Sequence, residues 1–84
     1  MSNYELVYAP GIELVREDFK TALEFRRQRK RYTQKKLSEK SGVNIRMIQH
    51  YEQGVKDINK AQAITVYRIA QALNCTVEDL LENI

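Results

Sequence analysis

Cysteine occurs once in the 84 residues, at Cys75, and histidine once, at His50. One thiol closes no intramolecular disulfide, and one Cys with one His cannot supply the four ligands of a structural zinc site, so apolar packing has to hold the fold. Such usage suits a reducing cytoplasm. Proline is present only as Pro10, and glycine only as Gly11, Gly42 and Gly54. No run approaches the roughly 18 apolar residues of a membrane span. The N-terminal stretch MSNYELVYAPGIELV lacks the basic n-region and the unbroken apolar h-region of a signal peptide. A soluble, cytoplasmic chain with no membrane partner is expected. No acid, base and nucleophile cluster together in the sequence, so neither an enzyme, a metal nor a cofactor is expected. The length leaves room for one small domain.

The charge that is present is unevenly placed. A net +3 conceals a segment, residues 26–56, in which ten basic side chains face only Glu39 and Glu52, a local net charge of +8. Residues 1–25 sum to −3 and residues 61–84 to −2. Charge spread only for solubility would not segregate in this way, which points to a local polyanionic partner.

Helical signals fill the chain after residue 17. Phe19 and Leu23 are four apart among good helix formers, predicting a first helix over about 18–30. Thr33 caps a second, QKKLSEKS, whose Leu37 points inward and which stops before Gly42. Asn44 caps a third, IRMIQHYEQ, ended by Gly54. The fourth carries Val66, Ile69, Ala70 and Leu73 as an apolar stripe. Its start reads equally well as an Asn59 cap or as an irregular turn through NKAQ before Ala63. Asn74 is suited to a left-handed C-terminal position, and TVED, with Thr76 and Asp79 in capping-box spacing, opens a short fifth helix bearing Val77, Leu80 and Leu81. Tyr4, Leu6 and Tyr8 alternate with Asn3, Glu5 and Val7, so residues 3–8 read as extended.

In the third helix Ile48 and Tyr51 share one face, with Val43 just outside its end, and form core. Ile45, Arg46, Gln49 and His50 cover the opposite side. A solvated face more often carries Glu and Lys, whereas Arg, Gln and His make directional hydrogen bonds to base edges and Ile meets a thymine methyl. Two short helices joined by the tight turn SGVN, with the unusual face on the second, form a helix-turn-helix.

At this point the chain resembles the phage-repressor and Cro type of DNA-binding domain, the lambda-repressor-like or XRE family, over about residues 18–84. The landmarks are Thr33-Gln34, Leu37 with Ser38, Ser41-Gly42-Val43, Ile48, Tyr51-Glu52-Gln53-Gly54, and Ala70-x-Ala72-Leu73. The resemblance implies an all-α, five-helix domain that binds double-stranded DNA, regulates transcription as a repressor and acts as a homodimer. By position in the family, Ile45, Arg46 and His50 reach base edges with Gln49 assisting. Gln34 binds a phosphate and buttresses the recognition helix, and Asn44 touches the backbone. Arg27 is the member of RRQRKR placed to meet a phosphate, and Lys36, Lys56 and Lys60 are further backbone candidates. Glu52 reads as structural, and Cys75 as a small apolar side chain.

Three departures from the family pattern stand out: Arg26 where Leu or Ala is usual, an expanded loop VKDINKAQ, and an N-terminal arm, residues 1–17, without a counterpart. The arm supports a rival reading, an antitoxin-like regulator in which YELVYAP adds a strand to a partner protein's sheet edge.

Overall fold

The computed structural model describes residues 14–83, which form four α-helices and three single 3-10 turns. The segment expected to be extended, residues 3–8, lies outside the described residues. Helix α1 spans Ala22–Arg29, α2 Gln34–Ser41, α3 Ile45–Gln53 and α4 Ala63–Leu73. Three of the four begin as capping chemistry dictates. The Thr21 and Thr33 hydroxyls accept from the backbone N–H of Glu24 and Lys36, and Asn44 Oδ1 accepts from that of Arg46 at 2.8 Å. The ends of α2, α3 and α4 are equally local. Gly42 (φ 73°), Gly54 (φ 75°) and Asn74 (φ 53°) take the left-handed conformation that closes a helix.

The first helix starts later than periodicity suggested. Arg16–Asp18 form a 3-10 turn, and Phe19 is extended and stacks its ring at 5.7 Å and a tilt of 55° on Phe25. Thr21 sets the true start because its hydroxyl serves twice, capping α1 and donating to the Glu52 carbonyl oxygen at 3.1 Å. Of the two readings for the fourth helix, the irregular turn holds. Ile58–Lys60 form a 3-10 turn capped by Asp57, and α4 begins only at Ala63. Asn59 caps nothing; its side-chain amide exchanges two hydrogen bonds with the backbone of Glu82.

The expected fifth helix is a single 3-10 turn, Glu78–Leu80. Its capping box does form, with Asp79 N–H donating to the Thr76 hydroxyl at 3.2 Å and Thr76 N–H to Asp79 Oδ2 at 3.0 Å. The chain leaves helical geometry because Glu82 is drawn elsewhere. Its carboxylate accepts from the Ala22 N–H at the start of α1 and pairs with Arg16 at 2.9 Å. Glu82 thus caps the first helix from 60 residues away.

Leu23, Leu37, Ile48, Ile69 and Leu80 are almost wholly buried and meet Val43, Tyr51, Ile58, Val66, Ala70 and Leu73 in one core. Tyr32 and Cys75 are half-buried against it, and burial pushes the Cys75 thiol up from its ordinary pKa. Arg26, where the family pattern has an apolar residue, turns to Asp79 at 3.3 Å, with its guanidinium 5.7 Å from the Phe25 ring centroid.

Hydrogen bonds from Thr76, aided by the Arg26 guanidinium, hold the Asp79 carboxyl below its ordinary pKa. A pKa depressed in the folded state contributes stability that is complete above the unfolded value and is lost as pH falls through the folded one. Thermal melts taken from neutral into acid pH should therefore lose less stability in Asp79→Asn than in the parent. Identical acid slopes would remove this role from Asp79.

Candidate nucleic-acid interface

Helices α2 and α3 are set by a turn that three local hydrogen bonds close. Gly42 N–H donates to Ser38 O at 2.9 Å, the Ser38 hydroxyl to Val43 O at 2.6 Å, and Val43 N–H to Ser41 Oγ at 3.1 Å. Val43 is thereby driven into the core, and α3 is fixed across α2.

The two sides of α3 are separated sharply. Ile48 is 0 % exposed and Tyr51 and Glu52 are buried, whereas Asn44, Ile45, Arg46 and Gln53 are exposed and Gln49 and His50 are half-buried. Four residues expected at base edges, Ile45, Arg46, Gln49 and His50, therefore lie together outside the core. Ile45 is among the few large apolar side chains left exposed. The His50 carbonyl accepts from the N–H groups of Val55 and Lys56, which pins the following loop to the end of α3. Lys56 and Lys60 are exposed on that loop, and Lys36 is exposed in the first turn of α2. The N-terminal N–H groups and positive dipole end of α2 favour an anion there.

Arg27, expected at a phosphate, turns inward. It is only 9 % exposed, and its guanidinium is fully engaged inside the protein. Nε donates to Glu52 Oε2 at 2.6 Å, one terminal nitrogen to Glu52 Oε1 at 3.0 Å and the other to Tyr32 O at 2.7 Å. The side chain cannot reach a phosphate without abandoning a bidentate buried ion pair. A signal for this was present in the sequence. Arg27 follows Leu23 by four residues and Glu52 follows Ile48 by four, so each charge continues an inward stripe, and the two have opposite signs.

Glu52 is more than a structural acid. Its Oε1 also accepts from Gln34 Nε2 at 3.1 Å, and Gln34 Oε1 accepts from Gln49 Nε2 at 3.3 Å. A continuous chain of hydrogen bonds thus runs from Arg27 in α1 through Glu52 and Gln34 to Gln49 on the outward side of α3. Gln34 thus connects the buried ion pair to Gln49.

A family model, HTH_3 helix-turn-helix, matches residues 23–80. The chain belongs to this helix-turn-helix family. The match runs from Leu23 in α1 to Leu80 in the last 3-10 turn and includes the whole helix-turn-helix. The family is lambda-repressor-like, of the XRE type, and comprises DNA-binding regulators of transcription rather than enzymes. No significant match occurs among curated proteins or among solved structures. Among the described residues no helix is long and apolar enough to cross a membrane.

Proposed function

We propose that the chain recognises a specific double-stranded DNA sequence with α3 in the major groove, and that it represses transcription by occupying its site as a homodimer. The observation that carries the reading is the outward side of α3, where Ile45, Arg46, Gln49 and His50 stand together beside the α2 N-terminus. An α-helix fits the major groove, and these side chains match its hydrogen-bonding and methyl pattern. Gln34, Asn44, Lys36, Lys56 and Lys60 serve the flanking phosphates, the first through the N–H of its amide left over from Glu52. Dimerisation follows from reach, since four reading side chains on a nine-residue helix cover only a few base pairs. Two copies on half-sites about one helical turn apart supply the rest. The strand-adding stretch of the rival reading lies outside the described residues.

Selection of bound duplexes from a random pool tests the reading. A two-fold motif with half-sites separated by roughly 10 base pairs is expected, and a pool with no enriched motif would remove sequence-specific recognition. A reporter behind the selected site should be silenced by the protein.

Electrostatics give a second expectation. The logarithm of affinity should fall linearly with the logarithm of salt, by about 0.9 per phosphate neutralised. Lys36→Ala and Lys56→Ala should each reduce that slope by about one contact's worth while weakening all sequences alike. Binding indifferent to salt would contradict the phosphate assignments.

A further inference from the structure

We infer that Asn59 and Glu82 are positioning residues, a clasp that holds the loop after α3 so that Lys56 and Lys60 meet the DNA backbone already ordered. Such a role rests on the DNA-recognition reading above and adds to it the device that fixes two of its phosphate contacts.

The loop between α3 and α4, residues 54–62, is mostly exposed. Its start is tied to α3 by the His50 carbonyl, which accepts from the N–H groups of Val55 and Lys56 at 2.9 and 3.2 Å. Its middle is anchored by Ile58, which is buried in the core. The part that carries Lys60 has neither support. Asp57 closes the 3-10 turn locally, accepting the Asn59 N–H on its side chain at 2.9 Å and the Lys60 N–H on its carbonyl at 3.0 Å. A turn closed only on itself is free to swing about its anchor.

Asn59 removes that freedom. Its Nδ2 donates to Glu82 O and its Oδ1 accepts from the Glu82 N–H at 2.8 Å, so one amide engages both backbone groups of a residue 23 positions away. A single hydrogen bond fixes a distance, whereas two fix the plane of the amide. Glu82 is itself anchored, because its carboxylate accepts from the Ala22 N–H at the start of α1 and pairs with Arg16 at 2.9 Å. The loop is thus held against the first helix as well as against α3.

Exposed hydrogen bonds contribute little net stability, since water replaces them. Asn59 is exposed, so stability is a weak account of this pairing, and its neighbours supply a better one. Lys56 and Lys60 flank the turn, both are exposed, and among the described residues neither is paired with a carboxylate. Ordering a long side chain and its loop on binding costs affinity, and a loop ordered beforehand has less to lose.

A double-mutant cycle tests the clasp, by titrating the duplex that the parent selects at a temperature well below the melt of every variant. Asn59→Ala should weaken binding by roughly fivefold in the parent, equally for the selected duplex and its single-base variants. In a Lys56→Ala, Lys60→Ala background the same substitution should change affinity by less than about twofold, because no lysine remains there for the clasp to order. Glu82→Ala supplies an independent variant with opposed expectations. Removing an acidic charge by itself strengthens binding to a polyanion, whereas freeing the clasp from Ala22 and Arg16 should weaken it by roughly threefold. A positioning role is overturned if Asn59→Ala leaves the parent's affinity unchanged, if it costs as much in the double-lysine background, or if Glu82→Ala binds more tightly than the parent. A double-lysine variant that binds as the parent does would overturn it together with these two phosphate assignments, and would leave recognition by α3 standing. A parent that selects no duplex would overturn the recognition reading and the clasp with it.

Discussion

Ile48→Ala should unfold the domain, while Arg46→Ala, two positions away on the same helix, should leave its melting temperature almost unchanged. Ile48 is 0 % exposed at the junction of α3 with the core, and truncation removes packed methyl and methylene groups that the neighbouring helices cannot replace. Such cavities cost about 2–5 kcal/mol, a large part of the roughly 5–15 kcal/mol a small domain possesses. DNA binding would be lost with the fold. Arg46 is exposed, and its backbone N–H, the part that Asn44 caps, survives the substitution. Its removal should change stability by no more than about 0.5 kcal/mol. On DNA, losing a paired contact to guanine O6 and N7 should cost about 1–3 kcal/mol and relax the preference at one base pair. A thermal melt and titrations against the selected site and its single-base variants decide the matter. If Arg46→Ala weakens all sequences equally, Arg46 binds a phosphate; if it unfolds the protein, the two sides of α3 are assigned the wrong way round.

Removing one partner of the Arg27–Glu52 pair should be as damaging as the cavity. Glu52→Ala strands a buried guanidinium and leaves Gln34 without its acceptor, and Arg27→Ala strands a buried carboxylate. Breaking a buried pair in this way costs about 3–5 kcal/mol. Arg27→Lys keeps the charge but loses the two-pronged geometry and the bond to Tyr32 O, so an intermediate loss is expected. Replacing both partners together, as Arg27→Met with Glu52→Leu, avoids the stranded charge and should recover much of the stability. That double variant also lacks the acceptor that orients Gln34, which separates the pair's contribution to stability from its influence on α3. Urea melts of the four variants measure the effect. An Arg27→Ala protein with an unchanged melt and a shallower salt dependence would return Arg27 to the phosphate backbone.

Much of the molecule was legible in local chemistry. Thr33, Asn44, Gly42, Gly54 and Asn74 mark helix ends because caps and left-handed closures depend on one side chain and a few neighbouring backbone groups. The apolar stripe of Val66, Ile69, Ala70 and Leu73, and the division of α3 between Ile48 and Arg46, follow from helical periodicity alone. So does the helix-turn-helix, since its turn is closed by residues that adjoin in the chain.

What only the tertiary structure decided involves partners far apart in sequence. Periodicity made Phe19 helical, but the double engagement of Thr21 with α1 and with the Glu52 carbonyl moved the start of the helix. Capping chemistry at Thr76 was read correctly, yet Glu82 ended the helix after one turn by bonding to Ala22 and Asn59, residues 60 and 23 positions away. Arg27 belonged by charge to a basic run and by burial to Glu52, 25 residues on. An ion's role depends on which opposite charge shares its dielectric surroundings, and that is a property of the packed chain.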